Sequence, residues 1–551
     1  MLKRFFNFQT KSITSAAFLV GISTIASGVL GLIRDRLLAG KFGAGQALDV
    51  YFAAFRIPDF VYGILITGGI AAVFLPVFSE HFKKSEKEAW EFTNNLLNCF
   101  LFLLFALCAI LAIFAPWIIN LVAPGFSFEN KEVTVSLVRI MFLSPILFGL
   151  SNIFSGILQY FNRFLIYSIA PILYNLGIII GIIFFVPIFG LYGLAYGVIL
   201  GAALYWILQI PAARSSGYKY SFVFNLKYPG LIKSFKLMIP RTIGAAAYQI
   251  NLIAVTAIAS TLTVGSIAIF NFSNNIQYFP IGLFGTSFAI AAFPALSQSW
   301  ASRSKEKFLG IFSSTFRQII FLIIPTSLLF FIFRAQMVRL ILGTGEFGWL
   351  ETRLTAASLG IFCIGIFASA FIPFLARVFY SLQDTKTPVF ISLFSMALNI
   401  GLCYLLTLLL SFPNAFHKII VSVLKLQEIN NIAVLGLPMA LSFSAIFQFS
   451  LLLFYLKKKL TDIKIREIFF SLKKIIIASL LMSLTSFLSL RLIAGIIETN
   501  TFFNLLFQTG ISLMAGGLVF WQTLRTLKSS ELEIIKSSII SRFNRFNGKH
   551  S

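Results

Sequence analysis

Asp49, Arg56 and Asp59 stand seven and three residues apart in one apolar run, and Arg34-Asp35 precede them in the run before. On a helix this spacing puts Asp49 and Arg56 on one face two turns apart, with Asp59 beside them. A charge at the centre of a membrane helix costs at least about 2.5–3.5 kcal/mol, so each of these side chains needs a reason to be there. One reason is chemistry: Arg56 and Arg241 would form a cationic floor for an anionic substrate. A guanidinium grips phosphate with a bidentate fork and stays charged when desolvated. The other reason is structural, with Arg56 and Asp59 neutralising one another as an i,i+3 pair. Arg34 either joins the cationic set or snorkels from the end of its span, and Arg139 is assigned to snorkelling or packing.

Amides pose the same choice. Asn271, Ser273, Asn274, Asn275 and Gln277 crowd together just before Pro280, and Gln249 and Asn251 lie in the preceding apolar run. Facing lipid they would be costly, so they either bond between helices or line a cavity that offers donors to sugar hydroxyls or phosphate. Catalytic constellations are not found. The sequence has no GxxxxGK[ST] phosphate loop, no HExxH and no GxSxG, and His81, His417 and His550 are isolated. Cys99, Cys108, Cys363 and Cys403 all fall inside apolar runs, with no spacing that suggests a disulfide framework or a zinc site. We therefore expect a transporter, with no catalytic residue, metal or cofactor. Its energy would come from a coupling monovalent ion or the membrane potential.

The scaffold that must position these residues follows from composition. The 551 residues are 58 % hydrophobic and 11 % charged, with mean hydropathy +0.91, far from the roughly 25 % charged of soluble domains. About 20 apolar residues cross a bilayer, and the apolar runs divide into fourteen expected spans, among them 12–33, 49–79 and 231–260. The expected fold is an all-α polytopic membrane protein. Most of the 44 Lys and Arg fall at the termini and in every second loop, so both termini should be cytoplasmic in the cell (plasma or inner) membrane. The net charge of +25 thus reads as cytoplasmic loops facing anionic lipid, not as nucleic-acid binding. The basic start with Lys3, Arg4 and Lys11 leads into a retained first span, not a cleaved signal. Pro58, Pro76, Pro145, Pro171, Pro240, Pro280, Pro294 and Pro373 should break several spans, which points to transport.

An internal repeat organises the chain. Ile57-Pro58-Asp59-Phe60-Val61-Tyr62-Gly63 and then Leu75-Pro76-Val77-Phe78-Ser79 match Phe279-Pro280-Ile281-Gly282-Leu283-Phe284-Gly285 and Phe293-Pro294-Ala295-Leu296-Ser297. Gln159 through Asn175-Leu176-Gly177 aligns with Gln383 through Asn399-Ile400-Gly401 at an offset of 224. An even number of spans per copy gives parallel repeats, related by a pseudo-two-fold axis along the membrane normal. The expected domains are an N-lobe of six spans (1–212), a C-lobe of six spans (213–457), two further spans (458–524) and a basic cytoplasmic tail (525–551), in which Leu527, Leu532, Ile534, Ile535 and Ile539 suggest a short surface helix.

Three stretches carry a family resemblance. Ser27-Gly28-Val29-Leu30-Gly31-Leu32-Ile33-Arg34-Asp35, with Phe42-Gly43-Ala44-Gly45 to Asp49 and Ala53-Ala54-Phe55-Arg56-Ile57-Pro58, resembles the N-terminal signature of the MurJ/MviN lipid II flippases. Ala170 to Ile179 is similar to the family's fifth span, and Phe379 to Pro388 to its loop between spans 10 and 11. The resemblance covers about residues 12 to 525. It implies a MATE-like fold of the MOP superfamily, with a last pair of spans forming a groove for a polyprenyl tail. It also implies transfer of an undecaprenyl-diphosphate-linked peptidoglycan precursor from the inner to the outer leaflet by alternating access, for cell wall biosynthesis. Arg34, Asp35 and Asp49 match family positions directly and Arg56 falls on a basic one. Gly28, Tyr62, Gly63, Asn274, Asn275 and Tyr278 stand where the family commonly has charged or basic residues, and Arg241 would compensate for the missing arginines. The expected substrate-binding set is therefore Arg34, Asp35, Asp49, Arg56, Arg241, Gln249, Asn251, Asn274 and Asn275. Expected partners are the lipid-linked precursor, membrane lipids and cell-wall synthesis enzymes. The rival readings are export of another polyprenyl-linked oligosaccharide, and a membrane scaffold of wall synthesis.

Overall fold

The computed structural model describes residues 13–460, 462, 465–498, 501–529 and 531–533. Among them every regular element is helical. Eleven helices are long and apolar enough to cross a membrane among the described residues. The expected spans 12–33, 49–79 and 231–260 fall on further helices, each of which includes residues whose side chains lie outside the description. The N-terminal cations Lys3, Arg4 and Lys11, and the tail from residue 534, are also outside it.

The chain forms two compact units, Met1–Asn271 with Thr344–Glu351, and Phe272–Gly343 with Thr352–Ser551. The first holds α1 (Ile13–Phe42), α2 (Gln46–Val61), α3 (Ala71–Lys84), α4 (Glu86–Ile113), α5 (Ala115–Val122), α6 (Phe128–Met141), α7 (Leu143–Tyr160), α8 (Phe164–Ile180), α9 (Val186–Phe189), α10 (Tyr192–Arg214), α11 (Pro229–Ser260) and the start of α12 (Ser266–Pro280). Apolar side chains supply little drive for association in lipid, so close approach of backbones must hold helices together. Gly177 of α8 packs directly on Gly201 of α10. One turn on, a Cβ at Gly181 would come within 2.5 Å of the Gly197 Cα. On its other side α8 packs against α1, where Asn175 donates to the Ser27 carbonyl at 3.2 Å.

The second unit continues with α13 (Ser287–Ala301), α14 (Lys305–Ile341), α15 (Trp349–Ser381), α16 (Lys386–Ser411), α17 (Ala415–Leu424), α18 (Gly436–Lys459), α19 (Ile465–Ala494) and α20 (Phe502–Thr526). The two helices beyond the repeat, α19 and α20, pair with each other and against α14. Gln508 reaches across the pair to donate to the Leu490 carbonyl at 2.8 Å. Ser479, Ser486 and Ser512 are fully buried and keep this seam narrow.

The prolines do not break the helices as expected. Pro58, Pro76, Pro171, Pro280, Pro294 and Pro373 all lie inside continuous helices. Widened, π-type turns lie further along two of these helices, at Tyr62–Ile70 after Pro58 and at Ile281–Thr286 after Pro280. A proline removes one intrahelical donor and crowds the carbonyl four residues back, in the turn that precedes it. The repeat read from the sequence is thus a repeat of local geometry as well.

The Gln159 and Gln383 copies also share a turn. Asn162 (φ 56°) and Gln383 (φ 60°) are left-handed. Arg163 N donates to the Leu158 carbonyl at 2.8 Å, and Asp384 N to Phe379 at 3.0 Å. The turns are offset by 221 and Asn175/Asn399 by 224, so three extra residues enter at the start of α16. There Asp384 accepts from Thr387 N at 3.0 Å and pairs with Lys459 of α18. Burial pushes the Asp384 carboxyl up, but the hydrogen bonds from Lys459 and Thr387 outweigh it and hold the pKa at about 2. A carboxyl held below its ordinary value of about 3.9 stabilises the fold fully above that value, and loses the contribution as pH falls toward the folded pKa. The melting-temperature gap between wild type and Asp384→Asn should therefore be constant above about pH 5 and shrink between about pH 4 and 2, as read by scanning fluorimetry in detergent.

Candidate functional site

The first turn of α12 has backbone amides without intrahelical partners, and a carboxylate is their natural complement. Asp49 of α2 supplies it, accepting from Gly265 N at 2.6 Å and Ala268 N at 2.8 Å. The approach is tight. Gly265 takes φ +89°, and any Cβ there would strike the Ala44 carbonyl. Asp49 is 5 % exposed and both of its oxygens are engaged. Its work here is to hold the N-terminus of α12 in register with α2.

Two turns further along α2, Arg56 makes the second tie to α12. Its Nη2 donates to Asn271 Oδ1 at 2.6 Å, and its Nε to Thr256 Oγ1 of α11, also at 2.6 Å. Both acceptors are themselves anchored, Asn271 to the Ile267 carbonyl at 2.7 Å and Thr256 to the Leu252 carbonyl at 2.9 Å. The expected alternative, an Arg56–Asp59 ion pair, is not formed. A guanidinium only 7 % exposed is therefore held by two neutral oxygens. Its positive charge is stabilised by dipoles without being cancelled by a bonded carboxylate.

Arg34 lies inside a helix and not at its end, because α1 runs on past the expected boundary at residue 33 to Phe42. Its guanidinium is held by neighbouring side chains. Its Nε and Nη2 donate to Asp35 Oδ1 at 3.0 and 2.8 Å, and its Nη1 to Asn175 Oδ1 of α8 at 3.1 Å. Asp35 is buried, while the Arg34 side chain keeps 22 % of its surface open. Arg139 donates to the Ala112 carbonyl at 3.1 Å, a cation at the C-terminal end of α4.

The remaining expected residues are placed as follows. Gln249 of α11 lies against Gly63, in the widened turn after Pro58; a Cβ at position 63 would collide with its amide. Gly63 is thus the gap that Gln249 fills. Asn251 is buried on the same helix. Asn274 accepts from Gln277 at 2.9 Å, one turn along α12, and it and Asn275 are half-buried, whereas Tyr278 is exposed. Arg241 falls in α11, and its side chain lies outside the described residues. The geometry brings Asp49, Arg56 and Asn271 together, and separately Arg34, Asp35 and Asn175. Thr256 had no signal in the sequence, since a lone threonine in an apolar helix ordinarily bonds its own preceding turn.

Removing the Asp49 carboxylate leaves two buried amides without acceptors, a loss of about 1.5–3 kcal/mol per charged hydrogen-bonded group. Asp49→Ala should lower the melting temperature markedly. Arg56→Met, which deletes a buried charge while keeping bulk, should leave it near wild type. Thermal unfolding of both variants in detergent checks the contrast.

Comparison with known proteins agrees with this fold. The family described as "Lipid II flippase MurJ" matches residues 38–508. The chain is 30 % identical over 385 residues to the probable lipid II flippase MurJ of Buchnera aphidicola subsp. Acyrthosiphon pisum, covering 69 % of this chain and 75 % of that one. It is 28 % identical over 379 residues to the lipid II flippase MurJ of Burkholderia cenocepacia, covering 67 % and 73 %. Among solved structures, an inward closed conformation of the lipid II flippase MurJ superposes with TM-score 0.74 at 25 % identity, over 93 % of this chain and 99 % of that one. An inward-facing MATE family transporter of the MOP superfamily shares the fold at TM-score 0.60 and 15 % identity, over 83 % and 96 %. With the family matched across most of its length and its apolar helices arranged in the same fold, the chain is a multi-pass membrane protein that belongs to the MurJ family of lipid II flippases.

Proposed function

We propose that the protein carries lipid II, the polyprenyl-diphosphate-linked peptidoglycan precursor, from the inner to the outer leaflet for cell wall synthesis. Family membership supports this over export of another polyprenyl-linked oligosaccharide and over a scaffold role. The observation that carries the mechanism is the buried Arg56 guanidinium, tied to two neutral oxygens. A phosphate oxygen adds opposite charge and a bidentate fork to what a guanidinium finds in a neutral oxygen. A diphosphate that reaches this position can therefore displace Thr256 and Asn271 at a net gain. Arg34, Asp35, Asp49, Arg241, Gln249, Asn251, Asn274 and Asn275 complete the proposed set. Arg34 and Arg241 join Arg56 on the diphosphate, the amides face the sugars, and Asp35 and Asp49 orient their partners.

In this proposal six spans form an N-lobe (1–212) and six a C-lobe (213–457), whose rocking presents the headgroup outside, while the last two spans (458–524) guide the lipid tail. The Lys and Arg bias of the loops supports cytoplasmic termini in the plasma membrane. The drive is an ion gradient or the membrane potential, and wall-synthesis enzymes are the protein partners.

The test is complementation of bacteria depleted of their own precursor flippase, reading how much lipid-linked muropeptide becomes accessible to a probe added outside. The wild-type chain should restore access, and Arg56→Ala should reduce it to background with insertion into the membrane unchanged. No restoration by correctly inserted wild type would overturn the lipid II reading. Wild-type transport by Arg56→Ala/Arg241→Ala would overturn only the diphosphate clamp.

A further inference from the structure

Between the membrane helices α16 and α18 the chain forms the short helix α17, and both of its ends are tied to neighbours. Only Phe412, Pro413 and Asn414 separate the end of α16 from the start of α17. Asn414 caps α17 by accepting from His417 N at 2.8 Å, and its amide donates back to the Leu409 carbonyl at 2.5 Å. His417 Nδ1 donates to the Leu410 carbonyl at 2.9 Å. The last carbonyls of a helix have no partner within it, and the start of α17 satisfies two of those of α16. At the far end Lys425 turns left-handed (φ 55°), and Leu426 N returns to the Val421 carbonyl at 2.9 Å. The Lys425 carbonyl accepts from Arg353 Nη2 of α15.

Among the described residues, α17 buries none of its own side chains. It is nonetheless apolar along one stripe. Phe416, Ile419, Ile420, Val423 and Leu424 recur at the i, i+3, i+4, i+7, i+8 spacing of a single helix face, with Lys418 and Ser422 off it. Phe416, Ile420 and Leu424 are half-buried, whereas Ile419 and Val423, on one flank of the stripe, are 58 and 69 % exposed. The surface they extend belongs to a membrane span: Tyr404, Leu405 and Leu408 are exposed along α16, and Phe412, 60 % exposed, follows them into the turn.

We propose that α17 is an interfacial helix, lying along the membrane surface with Ile419 and Val423 at the boundary of headgroups and acyl chains and Lys418 toward phosphate and water. Three extended residues reach about 10 Å, so a helix tethered this closely to a span stays at its mouth. Its backbone bonds are made within the helix and at its caps, which suits it to shallow insertion. The occupant of the exposed flank is the lipid leaflet at the end of the bilayer opposite Lys386 and Lys457, which mark the other ends of α16 and α18. Bonded to both α15 and α16, the helix sets the ends of these spans at headgroup level. This inference rests on the chain spanning a membrane and is independent of the cargo.

The test uses the full-length protein in lipid nanodiscs of phosphatidylethanolamine and phosphatidylglycerol, whose two faces are both open to reagents. A nitroxide is placed on Val423→Cys and, separately, on Lys418→Cys, and its collisions with oxygen and with a water-soluble nickel chelate are measured; the four native cysteines are buried. Phe394→Cys, exposed along α16, is the lipid reference. The label at 423 should collide more with oxygen and lose most of the nickel accessibility found at 418, as the reference does. Equal nickel accessibility at 423 and 418 would overturn the proposal, because α17 would then stand in water. Low accessibility of 423 to both reagents would overturn lipid as the occupant in favour of a protein cover, such as a second copy of this chain. Ile419→Cys repeats the measurement should Val423→Cys fail to fold.

Discussion

Taking a guanidinium out of water is among the most expensive things a membrane helix can do, and the arrangement around Arg56 follows from that cost. Arg56 can be buried because Thr256 and Asn271 are held ready for it. Asn271 is held because α12 starts where it does, and α12 starts there because Asp49 satisfies its first amides. Asp49 and Arg56 share α2, so one helix both sets the register of α12 and draws on it. Replacing a neutral acceptor costs little, whereas breaking a carboxylate pair costs much. That difference suits Arg56 to exchange partners with an anion, and suits Arg34, already committed to Asp35, to a steadier role.

Widened turns follow Pro58 and Pro280 in helices that run on past each proline. Their recurrence at matched positions means that the duplicated sequence preserves a mechanical element as well as an apolar pattern. In the first copy the wider turn brings Gly63 against Gln249, so an amide from α11 occupies the space a side chain at position 63 would need.

Polar groups elsewhere obey the same accounting of donors and acceptors. The amides of α12 and those of α4 look alike in sequence, but Asn271 serves a charge while Asn94, Asn95 and Asn98 serve irregular backbone. Only the partner reveals the purpose.

Fold class, membrane character and the repeat were legible in the sequence, because apolar run length, charge placement and motif order are properties of neighbours along the chain. Arg34, Asp35, Asp49 and Arg56 stood out for the same reason, as charges in apolar surroundings. Their bonds were not legible. The Arg56 contacts join residues 200 and 215 positions apart, and no helical spacing encodes which oxygen will meet a guanidinium across such a separation. The i,i+3 partner that spacing favoured, Asp59, was displaced by Thr256 and Asn271, and the span end expected for Arg34 became helix interior. Composition thus determined that charges had to be buried and amides satisfied, while packing alone decided which group satisfied which.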